Sequence, residues 1–283
     1  MASAFLILTA LYGGLTGLAY LFQDHLIYLP QKLSADSVER RVTALGLTPW
    51  TGGSADVRGF LVEGATGSAK GTVIIFHGNA GTALDRTHYV DFLTRLGFRV
   101  ILAEYPGYAA RPGKPNEKAI VTDAAETVQM ARRSYAPPLF LIGESLGAGV
   151  AAAAAARSDV DIKGLVLITP WDTLPNMAQS AYWFLPARWL VRDRYDSIRN
   201  LKLYRGRIAV VTAAEDEIVP TRLTENLYQS LTQEKRLWTL SGAGHNDWPA
   251  LVAHDFWTQV MGFLNEGISD PPPGKAETTA GLN

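Results

Sequence analysis

The feature that most narrows the fold is the stretch Leu139-Phe140-Leu141-Ile142-Gly143-Glu144-Ser145-Leu146-Gly147-Ala148-Gly149, which runs on into alanines. The apolar run after Pro137-Pro138 reads as a short strand buried on both faces. Ala148 to Arg157 reads as a helix, because alanine has the highest helix propensity. Between them lies Gly-x-Ser-x-Gly, a sharp strand-to-helix turn that holds a serine hydroxyl out at the end of a sheet. Gly143 and Gly147 keep the walls of that turn free of side chains. The helix N-terminus behind Ser145 offers free N–H groups to an anion formed above it. The pentapeptide alone also fits a tight turn with an inert serine, so the rest of the chain decides.

The flanking sequence repeats the same rhythm. Thr72 to Phe76 is a β-branched strand ending in His77-Gly78-Asn79-Ala80-Gly81, and Leu84 to Leu96 reads as a helix closed by Gly97. Phe98 to Ala103 is the next strand, followed by Glu104-Tyr105-Pro106-Gly107-Tyr108. Asn116 to Arg133 is a helix with Asn116 as its N-cap. Strands follow at Gly164–Ile168, Arg207–Ala213 and near Leu237–Leu240, and a last helix at about Trp248–Leu264. Ahead of them, Gln31 to Gly71 reads as short strands with Gly-rich turns, in which Val57 to Glu63 alternates as an edge strand would, after a turn at Thr51-Gly52-Gly53-Ser54. Strand and helix in alternation predict an α/β fold with a mostly parallel, doubly wound sheet. Sites in such sheets form beyond the carboxyl ends of the strands, where His77, Tyr105, Ser145 and Trp171 all fall. The segment from about 171 to 205 interrupts the rhythm with aromatic residues and prolines, and reads as a small helical cap insert over that end of the sheet. Tyr105, Trp171 and Trp183 are therefore candidates to contact substrate; the alternative is that such aromatics only anchor the insert.

The N-terminus is of another kind. Ala4 to Phe22 carries no charge, and its ~19 residues at about 1.5 Å each span roughly the hydrocarbon thickness of a bilayer. Residues 1–29 are thus expected to be a single-pass membrane anchor, 30–265 a folded domain containing the cap, and 266–283, rich in proline and small polar residues, a disordered tail. A cleaved signal peptide and a core helix are the rivals. The former normally has a basic n-region, which Met1-Ala2-Ser3 lacks, and the latter is normally amphipathic. Lys32, Arg40 and Arg41 on the C-terminal side favour a cytoplasmic domain. With 47% hydrophobic and 19% charged residues, the chain can bury a sizeable core, and a net charge of -1 offers nothing to nucleic acid. The lack of cysteine excludes disulfides, cysteine zinc sites and a thiol nucleophile.

A serine nucleophile needs a base, and the base needs an orienting carboxylate. After Ser145 the chain supplies Asp216, in Ala213-Ala214-Glu215-Asp216-Glu217-Ile218-Val219-Pro220, and then His245, in Gly242-Ala243-Gly244-His245-Asn246-Asp247. Glu215, Glu217 and Asp247 are alternatives to Asp216 within these loops. Of the five histidines, His25 adjoins the apolar segment, His88 and His254 fall in predicted helices, and His77 reads as structural support for its loop. Glu144 reads as a residue that tunes or hydrogen-bonds its surroundings.

Taken together, these residues resemble the α/β-hydrolases, and within them the membrane-anchored subgroup related to the bud-emergence suppressor proteins and the α/β-hydrolase-domain depalmitoylases and serine aminopeptidases. The resemblance rests on the apolar N-terminus followed by Leu26-Ile27-Tyr28-Leu29-Pro30, the loop His77-Gly78-Asn79-Ala80-Gly81, and Glu104-Tyr105-Pro106-Gly107-Tyr108. It continues through Gly143-Glu144-Ser145-Leu146-Gly147, Asp216…Val219-Pro220 and Gly244-His245-Asn246. Relatives tend to carry Gly and Ser where this chain has Ala109-Ala110-Arg111. The resemblance implies a hydrolase in which Ser145 attacks an acyl carbonyl, His245 takes its proton and Asp216 orients the imidazole. Backbone N–H groups of Asn79 and Leu146 would hold the oxyanion, with no metal or cofactor. The expected substrate is a small-molecule or lipid-like ester or thioester. A peptidase or amidase, and a non-catalytic membrane-anchored scaffold, are the other readings.

Overall fold

The computed structural model describes residues 1–53, 56–64, 69–157, 159–253 and 255–266. After the N-terminal helix α1 (Ala2–Ile27) and α2 (Ala35–Ala44) come strands β1 (Thr48–Trp50), β2 (Gly59–Val62) and β3 (Thr72–Phe76), a 3-10 turn over Ala83–Arg86, and α3 (His88–Arg95). The chain continues through β4 (Arg99–Ala103), α4 (Glu117–Ser134), β5 (Leu139–Glu144), α5 (Leu146–Arg157) and β6 (Gly164–Ile168). Three short helices follow, α6 (Leu174–Ala181), α7 (Ala187–Leu190) and α8 (Ser197–Leu201). The fold closes with β7 (Arg207–Ala213), α9 (Thr221–Ser230), β8 (Lys235–Leu240), α10 (Trp248–Leu251) and α11 (Phe256–Glu266). The strands form one eight-stranded sheet in the order β8-β7-β6-β5-β3-β4-β2-β1. All pairs are parallel except β1–β2 and β2–β4.

The central strands are apolar throughout because both faces are covered. Along β3 and β5, Ile74, Phe76, Leu139 and Leu141 join the core shared with α4, α5, α8 and α9. Their neighbours Val73, Ile75, Phe140 and Ile142 join the opposite core with α3 and α11. The alanines of α5 let it pack closely against β5, α4 and α8, and Val150 to Ala154 are buried. One register row crosses the sheet through Ala103, Phe76, Gly143, Leu167 and Val210. Glu104 and His77 follow that row directly, and Ser145 and Thr169 follow one residue later, so all four leave the same end of the sheet.

Four sequence expectations change. The strand expected at the edge, Val57 to Glu63, is shorter and lies inside the sheet, because Thr48–Trp50 pairs outside it. That outer strand carries Pro49, which cannot donate to a ladder and suits an edge. The helix expected over Leu84–Leu96 is split, since Asp85 Oδ2 accepts from the N–H (2.8 Å) and hydroxyl (3.0 Å) of Thr82 and caps a separate 3-10 turn. The last helix is broken at Val252, whose backbone is extended. Ala35–Ala44, expected among short strands, is helix α2, capped by Ser34, whose side chain accepts from Ser37 N–H at 3.2 Å. The turn at Ser54, His254 and the tail from 267 to 283 lie outside the described residues.

Candidate active site

Ser145 sits between β5 and α5 with φ at 54°, in the left-handed region. A non-glycine residue there is strained and needs its surroundings to hold it. Its N–H donates to Ile168 O at 2.9 Å, and the two glycines permit the close packing around it. A Cβ on Gly143 would lie 2.2 Å from Gly147 O, and one on Gly147 would lie 2.0 Å from Phe76 O. Any side chain at either position would drive α5 off the sheet. Leu146 is the first residue of α5, so its N–H has no intrahelical acceptor.

The loop after β3 is fixed from below. His77 is buried, with Nδ1 2.8 Å from Gly78 O and Nε2 3.0 Å from Glu104 Oε1. Both ring nitrogens of His77 are thus taken up by acceptors within the fold, and neither is left to pair with Ser145. Glu104 also accepts from the N–H groups of Ala83 and Tyr105. Because Gly78 O points at the His77 ring, the N–H across the same planar trans peptide, that of Asn79, points the opposite way. Asn79 lines the cavity that holds Ser145. Its carbonyl accepts from Leu29 N–H at 3.0 Å and Tyr108 OH at 2.8 Å, and its side-chain amide donates to Ile27 O at 3.0 Å.

His245 lines the same cavity. Its Nδ1 lies 2.8 Å from Oδ2 and 3.0 Å from Oδ1 of Asp216, and both side chains are nearly buried. Asp216 Oδ1 also accepts from the N–H groups of Ile218 (2.9 Å) and Val219 (2.7 Å), which fixes the carboxylate plane. The alternatives to Asp216 do other work. Glu217 accepts from the backbone N–H of His245 (3.1 Å) and Asp247 from that of Gly244 (2.7 Å), while Glu215 joins the loops through its N–H to Ala243 O.

The cavity measures about 770 Å³, within the size of small-molecule sites. Its wall is apolar but for a few groups. Its charged side chains are Arg86 and Glu144, which pair with each other (Nε to Oε2, 3.2 Å). Glu144 Oε2 also accepts from Tyr89 OH at 3.0 Å. Burial, with the charge of Glu144 beside it, pushes the Tyr89 phenol well above its ordinary value, so it remains a donor. Trp171 lines the cavity, as do cap residues including Met177, Tyr182 and Leu185. Tyr105 does not: it is buried beneath the loop, stacked on His77 with centroids 4.1 Å apart and donating from its hydroxyl to His77 O at 2.7 Å. Trp183 is 78% exposed and off the wall. Sequence reasoning did not select the residues of α1 that line the cavity, Leu15, Leu18, Ala19, Phe22, Gln23 and Leu26. The one signal there was the polar pair Gln23-Asp24 closing an otherwise apolar run.

A mostly parallel sheet with this strand order, a serine on a strained strand-to-helix turn and an aspartate-paired histidine lining the same cavity mark an α/β-hydrolase of the serine hydrolase type, esterase- or lipase-like. The chain belongs to that superfamily. The family described as "Serine aminopeptidase, S33" matches residues 67–197. That range holds Ser145 but neither Asp216 nor His245. An uncharacterized protein of Mycobacterium tuberculosis is 31% identical over 211 residues, covering 74% of each chain. The lysophosphatidylserine lipase ABHD12 of Danio rerio is 29% identical over 189 residues, covering 60% of this chain and 50% of that protein; this chain spans about half its length. Among solved structures, a Pyrococcus furiosus esterase aligns with TM-score 0.63 at 16% identity, covering 84% of this chain and 97% of the other. A Paleococcus ferrophilus monoacylglycerol lipase aligns at 0.56 and 18% identity, covering 74% and 98%. At such identities the structures speak for the fold alone.

Proposed function

We propose that the chain is a membrane-associated serine hydrolase that cleaves carboxylic esters or thioesters through Ser145, His245 and Asp216. The observation that carries this is the sharing of one apolar cavity by Ser145 and His245, with the Asp216 carboxylate on the far side of the imidazole. Asp216 accepts from Nδ1–H and so leaves Nε2 as the basic nitrogen facing the cavity. His245 takes the serine proton as Oγ adds to the acyl carbonyl. The charge that forms on the carbonyl oxygen is met by the N–H groups of Asn79 and Leu146, each such donor contributing about 3–4 kcal/mol. His245 then protonates the leaving alcohol or thiol, and the same histidine activates water to release the acid. The buried indole N–H of Trp171 has no partner among the described residues, which leaves a donor for a substrate oxygen. This scheme requires no metal or cofactor.

The aminopeptidase reading is less well supported. A free amino terminus wants an unpaired carboxylate, and among the described residues the one carboxylate on the wall, Glu144, already holds Arg86 and Tyr89. Helix α1 is long and apolar enough to cross a membrane, and we read residues 1–29 as its anchor, 30–265 as the catalytic domain on the cytoplasmic side, and about 171–205 as the cap. The test is covalent labelling of the detergent-solubilised full chain with a fluorophosphonate, followed by an ester, thioester and aminoacyl-amide panel. Wild type should label and Ser145→Ala should not, with a thermal midpoint within a few degrees. A folded wild type that fails to label, or a Ser145→Ala variant that still turns over substrate, would remove Ser145 from the chemistry.

A further inference from the structure

An anchor needs only to be apolar, and α1 does more than that. Its cavity-facing side chains stand at 15, 18, 19, 22, 23 and 26, the i, i+3, i+4, i+7, i+8, i+11 spacing of one helix face. The opposite wall belongs to the cap, and the two are tied at both ends of the contact. Tyr12 OH donates to Phe184 O at 2.9 Å. Gln23, buried, donates to Leu190 O at 3.2 Å and accepts from Arg192 N–H at 2.8 Å. Arg192 pairs with Asp24 at 2.6 Å, with both side chains about half exposed.

Lengths along the helix fix where a bilayer can lie. Asp24 is the first charged side chain of α1 and marks the aqueous limit. Tyr12, the upper contact with the cap, lies twelve residues above it, about 18 Å along the axis. A hydrocarbon core of ~30 Å is longer than that stretch, so a span that ends at Asp24 takes in the whole length of α1 lying against the cap. Helix α1 therefore cannot be immersed alone. Crossing the bilayer takes about twenty residues, and these include the stretch the cap lies against. If α1 lies along the surface instead, the same cap face meets the same leaflet. The cap carries Trp183 and Trp189, both 78% exposed, and Phe184, whose carbonyl accepts from Tyr12 of α1. Trp183 and Phe184 pack edge to face, 5.8 Å apart. Tryptophans there are the side chains that settle at a membrane–water boundary.

Resting on the serine-hydrolase reading above, we propose that the catalytic cavity opens sideways into the near leaflet between α1 and the cap. Its substrate is a bilayer-resident ester or thioester with a long acyl chain. The chain slides along the Leu15, Leu18, Ala19 and Phe22 face to bring its carbonyl to Ser145, while Trp183, Phe184 and Trp189 sit in the leaflet.

The experiment uses the full chain reconstituted in phosphatidylcholine–phosphatidylglycerol vesicles. Ala19→Trp fills the α1 wall and should lower the ratio of hexadecanoyl-ester to acetyl-ester turnover about tenfold, the scale of two displaced methylenes. In vesicles made with bromine-labelled acyl chains, wild-type tryptophan fluorescence should be quenched, and Trp183→Phe with Trp189→Phe should lose at least half of that quenching. An unchanged chain-length ratio in Ala19→Trp would overturn the acyl route. Absent quenching, or quenching untouched by the double variant, would overturn the immersed cap. In either case, continued fluorophosphonate labelling of Ser145 leaves the hydrolase reading standing, whereas a wild type that never labels removes that reading itself.

Discussion

Asp216→Asn isolates one hydrogen bond of the candidate site without disturbing its frame. Oδ1 of Asp216 accepts two backbone N–H groups, from Ile218 at 2.9 Å and Val219 at 2.7 Å, while Oδ2 is the nearer oxygen to His245 Nδ1. An asparagine keeps its oxygen where the two donors are, since turning the amide over would set NH₂ against both N–H groups. Its nitrogen then takes the place of Oδ2 and donates to Nδ1. The imidazole must move its proton to Nε2, the nitrogen that would have received the proton of Ser145. The loop keeps its bonds and the base is lost. A triad with the wrong tautomer loses about 10⁴-fold in turnover, or about 5 kcal/mol of transition-state stabilisation. Turnover of a short-chain nitrophenyl ester and the rate of fluorophosphonate labelling should both fall by that factor, with a thermal midpoint close to wild type. Glu217→Gln is the control: its side chain still accepts from His245 N–H, so the loss should stay within tenfold. The reasoning fails if Asp216→Asn keeps more than a tenth of wild-type turnover, or if Glu217→Gln is the variant that collapses.

Three further outcomes test the frame. Gly147→Ala, whose Cβ would meet Phe76 O, Phe76 C and His77 O, should destabilise the fold by about 3 kcal/mol; a urea-unfolding loss below about 1 kcal/mol would contradict the close approach. Gln23→Leu leaves Leu190 O and Arg192 N–H without their partner. It should lower stability by about 2 kcal/mol and speed hydrogen exchange at Arg192, and unchanged exchange there would refute the clamp. His88, packed on Tyr89 and Trp248, is held below its ordinary pKa by burial, with the charge of Arg86 adding to this and those of Glu144 and Asp91 opposing it. Below pH ~6.5 the unfolded chain takes up a proton that the folded state resists, so stability falls as the pH drops toward the lowered folded value. His88→Phe should therefore gain thermal stability over wild type as the pH goes from 7.5 to 5, and a constant gap would refute it.

The parts of this fold that were legible in the sequence are those encoded locally. Glycines at 143 and 147 have no other use than a close crossing, and the apolar runs of β3 and β5 are too short for anything but buried strands. Helix α1 shows the opposite case. Because it is apolar all round, its periodicity carries no phase, and nothing in Leu15, Leu18 or Phe22 sets them apart from Leu11 or Leu21. Direction was equally hidden among the aromatics. Tyr105, Trp171 and Trp183 look alike as candidates, but one hydroxyl finds a carbonyl beneath the loop, one ring faces the cavity and one faces outward. Strand β1 was not delimited among the short strands expected there, because three residues around a proline give no alternation to read.

The stripe on α1 also decides what changes this helix can tolerate. A membrane span defined by hydropathy alone is indifferent to its own rotation, so inserting one more leucine would do it no harm. Here each residue turns the helix by about 100°, and Gln23 is locked to Leu190 and Arg192. One residue inserted between Ala19 and Gln23 would swing Leu15, Leu18 and Ala19 off the cavity together while leaving the hydropathy profile untouched. The first helix is thus held to register like a gear tooth, and between Ala19 and Gln23 its length is fixed by its contacts and not by its hydropathy.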